Sequence, residues 1–276
     1  MIVKVFTMIK NEVDIIEHWI KYHGYIFGYE NLYILDNNSD DGTWEIIEKY
    51  GKEYNFYYEK HDDYITKGIA ITNLIKTCNH FDIALPLDID EFIVFYDDVS
   101  KKIDPNGIIP YLHKLIQVPE FHSNTEFKAN YIQSVINNKT DYGYEDAILE
   151  TTYGIHQDYG KMAKTFVNMD WNGQLDHGNH CPSDKYILTK LCLIHFHCRN
   201  KDQMKKKVEM NVTGLGYPAN DLEFLKELPD GSPGYHHVQH MIKILENTFE
   251  INTNICGSEE TGLINLTPFS DFIKNL

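Results

Sequence analysis

Two aspartates separated by one residue, Asp88 and Asp90, are the side chains in this chain best suited to carry chemistry. The apolar residues 83–87 precede the pair, and Glu91 and a second apolar segment follow it. Three carboxylates between two apolar segments are costly unless a cation or hydrogen bonds compensate them. Hard oxygen ligands of this kind suit Mg²⁺ or Mn²⁺, which proteins commonly share with substrate phosphates. The pattern therefore favours a divalent metal site over a solvated acidic turn.

The elements that must position this pair alternate between strand and helix over the first hundred residues. The predicted strands are residues 2–8, 31–35, 54–58 and 81–87, and the predicted helices are residues 12–23, 43–50 and 67–78. Such alternation requires crossover connections and a mostly parallel sheet covered by helices. Ligands of such sheets bind outside the carboxyl ends of the strands. The acidic turn at 36–42 and the carboxylates at 88–91 both fall at such ends.

The pattern is looser beyond residue 100. The predicted helices there are residues 105–117, 201–211, 218–228 and 236–248, and the predicted strands are residues 126–135, 161–169 and 190–196. We expect an α/β fold with a mixed, mostly parallel, Rossmann-like sheet flanked by helices. Residues 1–210 would form the nucleotide-binding and catalytic domain, and residues 211–276 a helical appendage packed on it.

Composition limits the classes of partner. The 276 residues carry 25 Lys and Arg against 41 Asp and Glu, a net charge of −16, and 42% hydrophobic residues are enough for a sizeable core. The acidic balance argues against a nucleic-acid partner, which requires a basic face. It does not exclude small anionic ligands, because a bound divalent cation inverts the local electrostatic field.

The cysteines and the hydropathy pattern predict a cytoplasmic protein. Five cysteines, an odd number with uneven spacing, indicate reduced thiols. The start of the chain has no signal-peptide pattern, and no uncharged apolar run approaches the ~18 residues that a membrane span needs.

The residues around the aspartate pair resemble a known family. Residues 87–92, Leu-Asp-Ile-Asp-Glu-Phe, resemble the LDxDEF signature of GT-A-fold glycosyltransferases of the kind grouped with family 2 and family 92. Three further stretches resemble other elements of the family, and they follow one another in the family's order. These stretches are residues 8–23, residues 33–43, and residues 161–167 with 177 and 194–196. One departure is His18, which separates Glu17 from Trp19. The resemblance covers about residues 1–210.

The resemblance implies transfer of a sugar from a nucleoside diphosphate, with UDP as the default, to an acceptor hydroxyl with inversion. A divalent cation, Mn²⁺ or Mg²⁺, would neutralise the leaving diphosphate. The implied metal ligands are Asp90, with Asp88 beside it, and His195 in the family's His-Tyr position or else His197. The implied substrate contacts are Asp36 at the nucleotide base, Thr7, Asn11 and Asn38 around the same crevice, Lys67 and Gly68 at phosphate or ribose, and His177 at the donor sugar or acceptor.

An inverting transfer needs a catalytic base, usually Asp or Glu, and the sequence does not identify which residue it is. The candidate catalytic carboxylates are Glu145, Asp146, Asp170 and Asp176, together with Glu91, which would face the donor sugar or the acceptor. The acceptor stays open between a glycan, a lipid-linked molecule and a protein, as does the oligomeric state.

Three other functions remain possible from the residues. A nucleotidyltransferase or a phosphatase of the haloacid dehalogenase type would use the same carboxylate pair. A zinc-stabilised, non-catalytic carbohydrate-binding module would use His177, His180 and Cys181 with His195, His197 and Cys198. Neither half of that set shows the spacing of a familiar zinc motif.

Overall fold

A computed structural model describes residues 1–136, 143–181, 183–249 and 262–276 of the chain. Its N-terminal part alternates strand and helix, as predicted. The elements are β1 (Val3–Ile9), α1 (Ile16–Phe27), β2 (Leu32–Asp36), α2 (Thr43–Tyr54), β3 (Tyr57–Lys60), α3 (Lys67–Thr77) and β4 (Ile83–Pro86). The strands pair in parallel in the order β3-β2-β1-β4. The central strand β1 is buried along nearly its whole length, as a strand covered on both faces must be.

A second sheet follows directly after β4. Its part of the chain contains β5 (Glu91–Asp97), β6 (Lys102–Asp104), α4 (Ile108–Leu115), β7 (Glu126–Val135), α5 (Ala147–Glu150), β8 (Tyr153–Gln157), β9 (Lys164–Phe166) and β10 (Tyr186–His195). β10 runs parallel to β7 and antiparallel to β5, and β9 lies antiparallel to β7. The predicted fold class, an α/β arrangement of strands flanked by helices, is confirmed.

The C-terminal part contains α6 (Lys201–Gly214), α7 (Leu222–Glu227), α8 (Tyr235–Leu245), β11 (Leu263–Asn265) and α9 (Thr267–Lys274). Val208 and Val212 of α6 pack with Val238 and Met241 of α8 in a small core of their own. The last elements join the main body instead, because β11 pairs with β8 and Phe269 of α9 packs against α1. The division at residue 210 stays a prediction.

Two features connect the sheets. The turn at residues 87–90 leads from β4 directly into β5, and an antiparallel bridge pairs Ala84 with Val167. Tyr22 of α1 also donates a hydrogen bond to the Ile93 carbonyl of β5 at 2.6 Å. The aspartate pair therefore lies where the two sheets meet. Within the described ranges, no helix combines the length and apolar character needed to cross a membrane.

Two differences from the predicted elements have a physical reason. The strand expected at 161–169 shortens to Lys164–Phe166, because residues 160–162 form a single 3₁₀ turn before it. β5 and β8 were not predicted as strands. β8, Tyr-Gly-Ile-His-Gln, has no clear apolar alternation and contains a glycine, which weakens any strand signal.

Candidate functional site

Asp90 is a buried carboxylate with its own set of partners. It lies in the turn between β4 and β5 and is 4% exposed. Its Oδ2 accepts a hydrogen bond from the Lys207 ammonium at 2.6 Å and lies 3.5 Å from Nε2 of His195. Burial alone would raise the pKa of Asp90, but Lys207 and then His195 hold that pKa well below its usual range. Asp90 is therefore a carboxylate at neutral pH.

Asp90, His195 and His197 form a group with the composition of a metal site. One ligand atom from each residue lies within 4.8 Å of the other two. His195 is the last residue of β10 and pairs in register with Glu91 of β5. Burial, and then the charge of Lys207, keeps the pKa of His197 well below its usual value. A neutral imidazole is the form that binds a metal ion. The structure thus brings together three of the four predicted metal ligands.

Asp88 lies outside this group and is held by a different set of side chains. Its carboxylate accepts from the ammonium groups of Lys67 and Lys164, the latter at 2.9 Å, and from Asn179 Nδ2 at 3.0 Å. Burial would raise the pKa of Asp88, but Lys164 and Lys67 bring it below its usual range. The sequence pattern suggested that both aspartates turn to one point. The structure separates them because each carboxylate has lysine partners of its own.

Glu91 is buried behind Lys164. Its Oε1 lies 2.9 Å from the Lys164 ammonium, and its Oε2 accepts from the backbone N–H of Asp88 at 2.8 Å. Burial raises the pKa of Glu91, and Lys164 offsets only part of that effect. Lys164 therefore compensates two carboxylates, those of Asp88 and Glu91. That Glu91 faces the donor sugar or the acceptor stays a prediction.

A buried arginine was missed by the sequence analysis. Arg199 is 2% exposed, and its guanidinium bonds the carboxylates of Glu12 and Asp14, with Nε to Asp14 Oδ2 at 2.8 Å. Burial raises the pKa of Glu12 against the effect of Arg199. Glu12 belongs to the resembling stretch 8–23, which was the available signal. Lys164 lies in the resembling stretch 161–167, and Lys207 lies in the predicted helix 201–211. No further signal in the sequence indicated these two lysines or Arg199.

A cleft of about 1350 Å³ opens at the carboxyl ends of β1 and β2. One wall comes from residues 10–14, Asn37 and the acidic turn after β2, and the other from α6 and the start of α8. Lys207 lines the cleft and also bonds Asp90. His237 of α8 lines the cleft too, and burial lowers its pKa to about 4.

Of the predicted nucleotide contacts, Asn11 lines the cleft, whereas Thr7 and Asp36 are fully buried. In the described part of the chain, Thr7 Oγ1 and Asp36 Oδ1 have no hydrogen-bond partner. Asn11 and Asn38 both adopt left-handed backbone conformations, with φ of 55° and 53°. Asn11 Oδ1 accepts from the N–H of Asp40 at 2.9 Å, so this side chain shapes the acidic turn.

The predicted phosphate contacts have structural roles in the described contacts. Lys67 is buried in its ion pair with Asp88. At Gly68, an added Cβ would lie 2.2 Å from the carbonyl oxygen of Asp176. Glycine is therefore required here because α3 packs directly against the loop that contains Asp176. His177 of that loop is exposed, lines the cleft and stacks edge-on against Tyr64 with centroids 4.9 Å apart.

Asp176 and Asp146, two of the other predicted carboxylates, form hydrogen bonds to backbone N–H groups. Asp176 Oδ1 accepts from the N–H groups of Gly178 and His180 at 2.9 and 2.8 Å. Asp146 caps α5 by accepting from the N–H groups of Ile148 and Leu149 at 3.1 Å, and its other oxygen pairs with His18 at 3.0 Å. The departure at His18 thus connects α1 to the α5 cap.

Two further candidate carboxylates lie at the surface. Glu145 and Asp170 are exposed.

The zinc alternative requires cysteine ligands beside the histidines. Among the described residues, the one metal-ligand group joins Asp90 to His195 and His197, and it includes neither Cys181 nor Cys198. The zinc site considered from the sequence, which would join the histidines to Cys181 and Cys198, is therefore not assembled among the described residues.

Comparison with known proteins gives short sequence matches. No family model matches the chain. A glycosyltransferase family 92 protein of Arabidopsis thaliana is 42% identical over 57 residues, which is 21% of this chain and 10% of that protein. A family 92 protein of Ricinus communis is 34% identical over 55 residues, or 20% and 9% of the two chains. The chain thus matches about a tenth of the length of these relatives. The resemblance to family 92 is confirmed over these segments.

Similarity to solved structures is broad in coverage and low in identity. TarS residues 1–349 of S. aureus aligns over 90% of this chain and 71% of its own, with 11% identity and a TM-score of 0.44. Glucosyl-3-phosphoglycerate synthase from Mycobacterium tuberculosis, in complex with Mn²⁺ and UDP-glucose, aligns over 47% of this chain and 43% of its own. The identity is 18% and the TM-score 0.32.

Proposed function

We propose that this chain is a metal-dependent glycosyltransferase that transfers a sugar from a UDP-sugar to an acceptor hydroxyl with inversion. The observation that carries the proposal is Asp90, a buried carboxylate grouped with two imidazoles and bonded to a lysine of the large cleft. The short matches to family 92 glycosyltransferases support the same chemistry.

The residues around Asp90 fit a divalent cation. One carboxylate and two imidazoles suit Mn²⁺ better than Mg²⁺, which prefers oxygen ligands and retained water. When bound, such a cation supplies neutralisation of the charge that grows on the leaving diphosphate. Lys207 already places an ammonium group on Asp90, so this carboxylate has a positively charged partner both with and without a metal ion. Lys207 would release Asp90 and turn to the phosphates.

The cleft fits the nucleotide part of the donor. Its volume of about 1350 Å³ exceeds the usual ~300–1,000 Å³ of a small-molecule site, so a nucleotide sugar fits within it. Asp36, the predicted contact to the nucleotide base, is fully buried below the cleft lining, and its Oδ1 has no hydrogen-bond partner among the described residues. Lys10 and Lys206 line the same cleft and offer positive charge to a diphosphate.

The transfer balances as a single displacement. The acceptor oxygen forms a bond to the anomeric carbon, and the bond from that carbon to the diphosphate oxygen breaks. The departing nucleoside diphosphate keeps the electron pair, and the hydroxyl proton goes to a carboxylate base. Glu91, Glu145, Asp146 and Asp176 remain the proposed candidates. Exchanging each for its amide ranks them, since loss of the base lowers kcat and leaves nucleotide binding unchanged.

Nucleotide binding with and without Mn²⁺ tests the proposal. We expect UDP to raise the melting temperature only when Mn²⁺ is present, because ligand at 100 times its Kd adds about 2.7 kcal/mol of stability. The variant Asp90→Asn should lose this effect. Asp98→Asn is the matched control, because Asp98 is an exposed aspartate that pairs with the exposed Lys190 at the surface.

Two results would contradict the proposal. One is UDP binding that is identical in wild type and Asp90→Asn at saturating Mn²⁺, and the other is no binding of any nucleotide sugar. Product analysis separates the related reactions, because a nucleotidyltransferase would transfer a nucleoside monophosphate group from a nucleoside triphosphate and release pyrophosphate, and a phosphatase would release inorganic phosphate.

A further inference from the structure

A second cavity lies on another side of Asp90. It has a volume of about 330 Å³ and is lined by Tyr131, Tyr159, Met162, His180 and His195. None of these described residues lines the large cleft. The two spaces are therefore separate, although Lys207 of the cleft and His195 of the cavity both lie beside Asp90.

Oδ2 of Asp90 lies beside one residue of the large cleft and one residue of the small cavity. Asp90 Oδ2 accepts from Lys207, a residue of the large cleft, at 2.6 Å, and it lies 3.5 Å from Nε2 of His195, a residue of the small cavity. A transfer between two substrates requires the reacting groups to meet at one point from separate binding sites. The small cavity has the position that a second substrate requires.

One wall of the small cavity is an aromatic ring that is fixed in position and partly exposed to solvent. Tyr159 is 48% exposed, and its ring packs edge-on against the buried ring of Tyr131, with centroids 5.2 Å apart and an interplanar angle of 85°. The Tyr159 hydroxyl donates to Gln157 at 2.7 Å, and its backbone N–H donates to Asn130 at 3.3 Å. The ring is therefore fixed in place while much of it stays in contact with solvent.

The chemistry of these walls selects a class of ligand. A pyranose ring has an apolar C–H face that packs on an aromatic ring, and an edge of hydroxyls that require hydrogen-bond partners. Tyr159 and Met162 offer apolar surface, and the imidazoles of His180 and His195 offer polar atoms. The five lining residues include no Lys or Arg, so the cavity offers no ion pair to a phosphorylated or acidic ligand.

We infer that this cavity binds a neutral pyranose ring of the acceptor, stacked on Tyr159. The inference rests on the proposed glycosyltransferase function and names its acceptor class, a saccharide or glycoside. The volume lies at the lower end of the usual ~300–1,000 Å³ of small-molecule sites, which suits a single sugar ring.

Ligand-observed NMR titration with neutral methyl pyranosides tests the inference. The probes are the methyl glycosides of glucose, galactose, mannose and N-acetylglucosamine, each added at millimolar concentration to the full chain with and without UDP and Mn²⁺. We expect at least one to bind, and Tyr159→Ala to weaken it about 10-fold, which is the loss of one aromatic stacking contact. Tyr159→Phe keeps the ring and should bind within about twofold of wild type.

The controls separate this inference from the function on which it rests. Tyr153→Ala removes a tyrosine of similar exposure, 46%, that does not line the cavity, and it should bind like wild type. UDP binding should be unchanged in Tyr159→Ala. Binding of UDP with Mn²⁺ but of no pyranoside, or equal pyranoside affinity in Tyr159→Ala and wild type, would overturn the acceptor site alone. Failure to bind any nucleotide would overturn the proposed function.

Discussion

Asp88 and Asp90 are two residues apart, yet their surroundings have different compositions. Around Asp88, Lys67, Lys164 and Asn179 fill the acceptor positions of the carboxylate. Around Asp90, one lysine is joined by two imidazoles that offer nitrogen lone pairs. The contrast teaches that a pair of carboxylates need not act together. Asp88 is compensated by the protein itself, and Asp90 is surrounded by groups that can bind a metal ion with it.

The largest expected effect is on folding and comes from Asp88. Asp88→Asn leaves the buried ammonium group of Lys67 without its carboxylate and leaves Lys164 with Glu91 alone, and removing one partner of a buried pair costs about 3–5 kcal/mol. Chemical denaturation should show this loss in the free energy of unfolding. Asp90→Asn should cost less, because Lys207 is more exposed than the other two lysines. Equal stability of wild type and Asp88→Asn would remove the contrast between the two sites.

A smaller effect should appear in metal binding and comes from Lys207. Its ammonium competes with any metal ion for Asp90 Oδ2. We therefore expect Lys207→Gln to bind Mn²⁺ alone about 10-fold more tightly than wild type, a gain of about 1.4 kcal/mol, and to bind UDP more weakly. Isothermal titration with Mn²⁺ measures the first change. Lys206→Gln is the control, because Lys206 lines the cleft and, within the described residues, forms no ion pair with Asp90. Unchanged Mn²⁺ affinity in Lys207→Gln would argue against a cation site at Asp90.

The smallest expected effect is a dependence on pH. The pKa of Asp88 in the folded chain is lowered from 3.8, because Lys164 and Lys67 outweigh the effect of burial. A carboxyl with a lowered folded pKa contributes stability that is fully present above its unfolded pKa and is lost as pH falls through the folded pKa. The stability difference between wild type and Asp88→Asn should therefore be constant from pH 7 to about pH 5 and narrow only below pH 3.8. Urea titrations at several pH values measure it, and a difference that narrows already near pH 6 would contradict this assignment.

The positions of the site residues along the strands could be predicted, and their partners could not. His195 and His197 alternate along an extended segment, which predicts that both face one side, and both do lie beside Asp90. The lysines that neutralise the aspartates are 21, 76 and 117 residues away from them in the sequence. No local pattern links residues so distant, because the three-dimensional path of the chain decides which ammonium meets which carboxylate.

The resembling motifs indicated where the site lies without distinguishing binding from structure. Gly68 and Asp176 were assigned to substrate or catalysis, whereas the described contacts show a close packing of α3 on the loop at 175–180. A glycine required by a neighbouring backbone and a glycine required by a phosphate look the same in one sequence. Asp146 is similar, since a helix cap and a catalytic base are both aspartates beside a helix.

The close approach at Gly68 has a consequence for how freely this protein can be varied. Any side chain there would lie within 2.5 Å of the carbonyl oxygens of both Leu175 and Asp176, and backbone cannot move aside as a flexible side chain can. The same loop continues to His177 in the cleft and to Asn179 beside Asp88. A library randomised at position 68 and selected for folded protein should therefore return glycine alone, and enlarging the loop by insertion would disturb the cleft and the surroundings of Asp88 together.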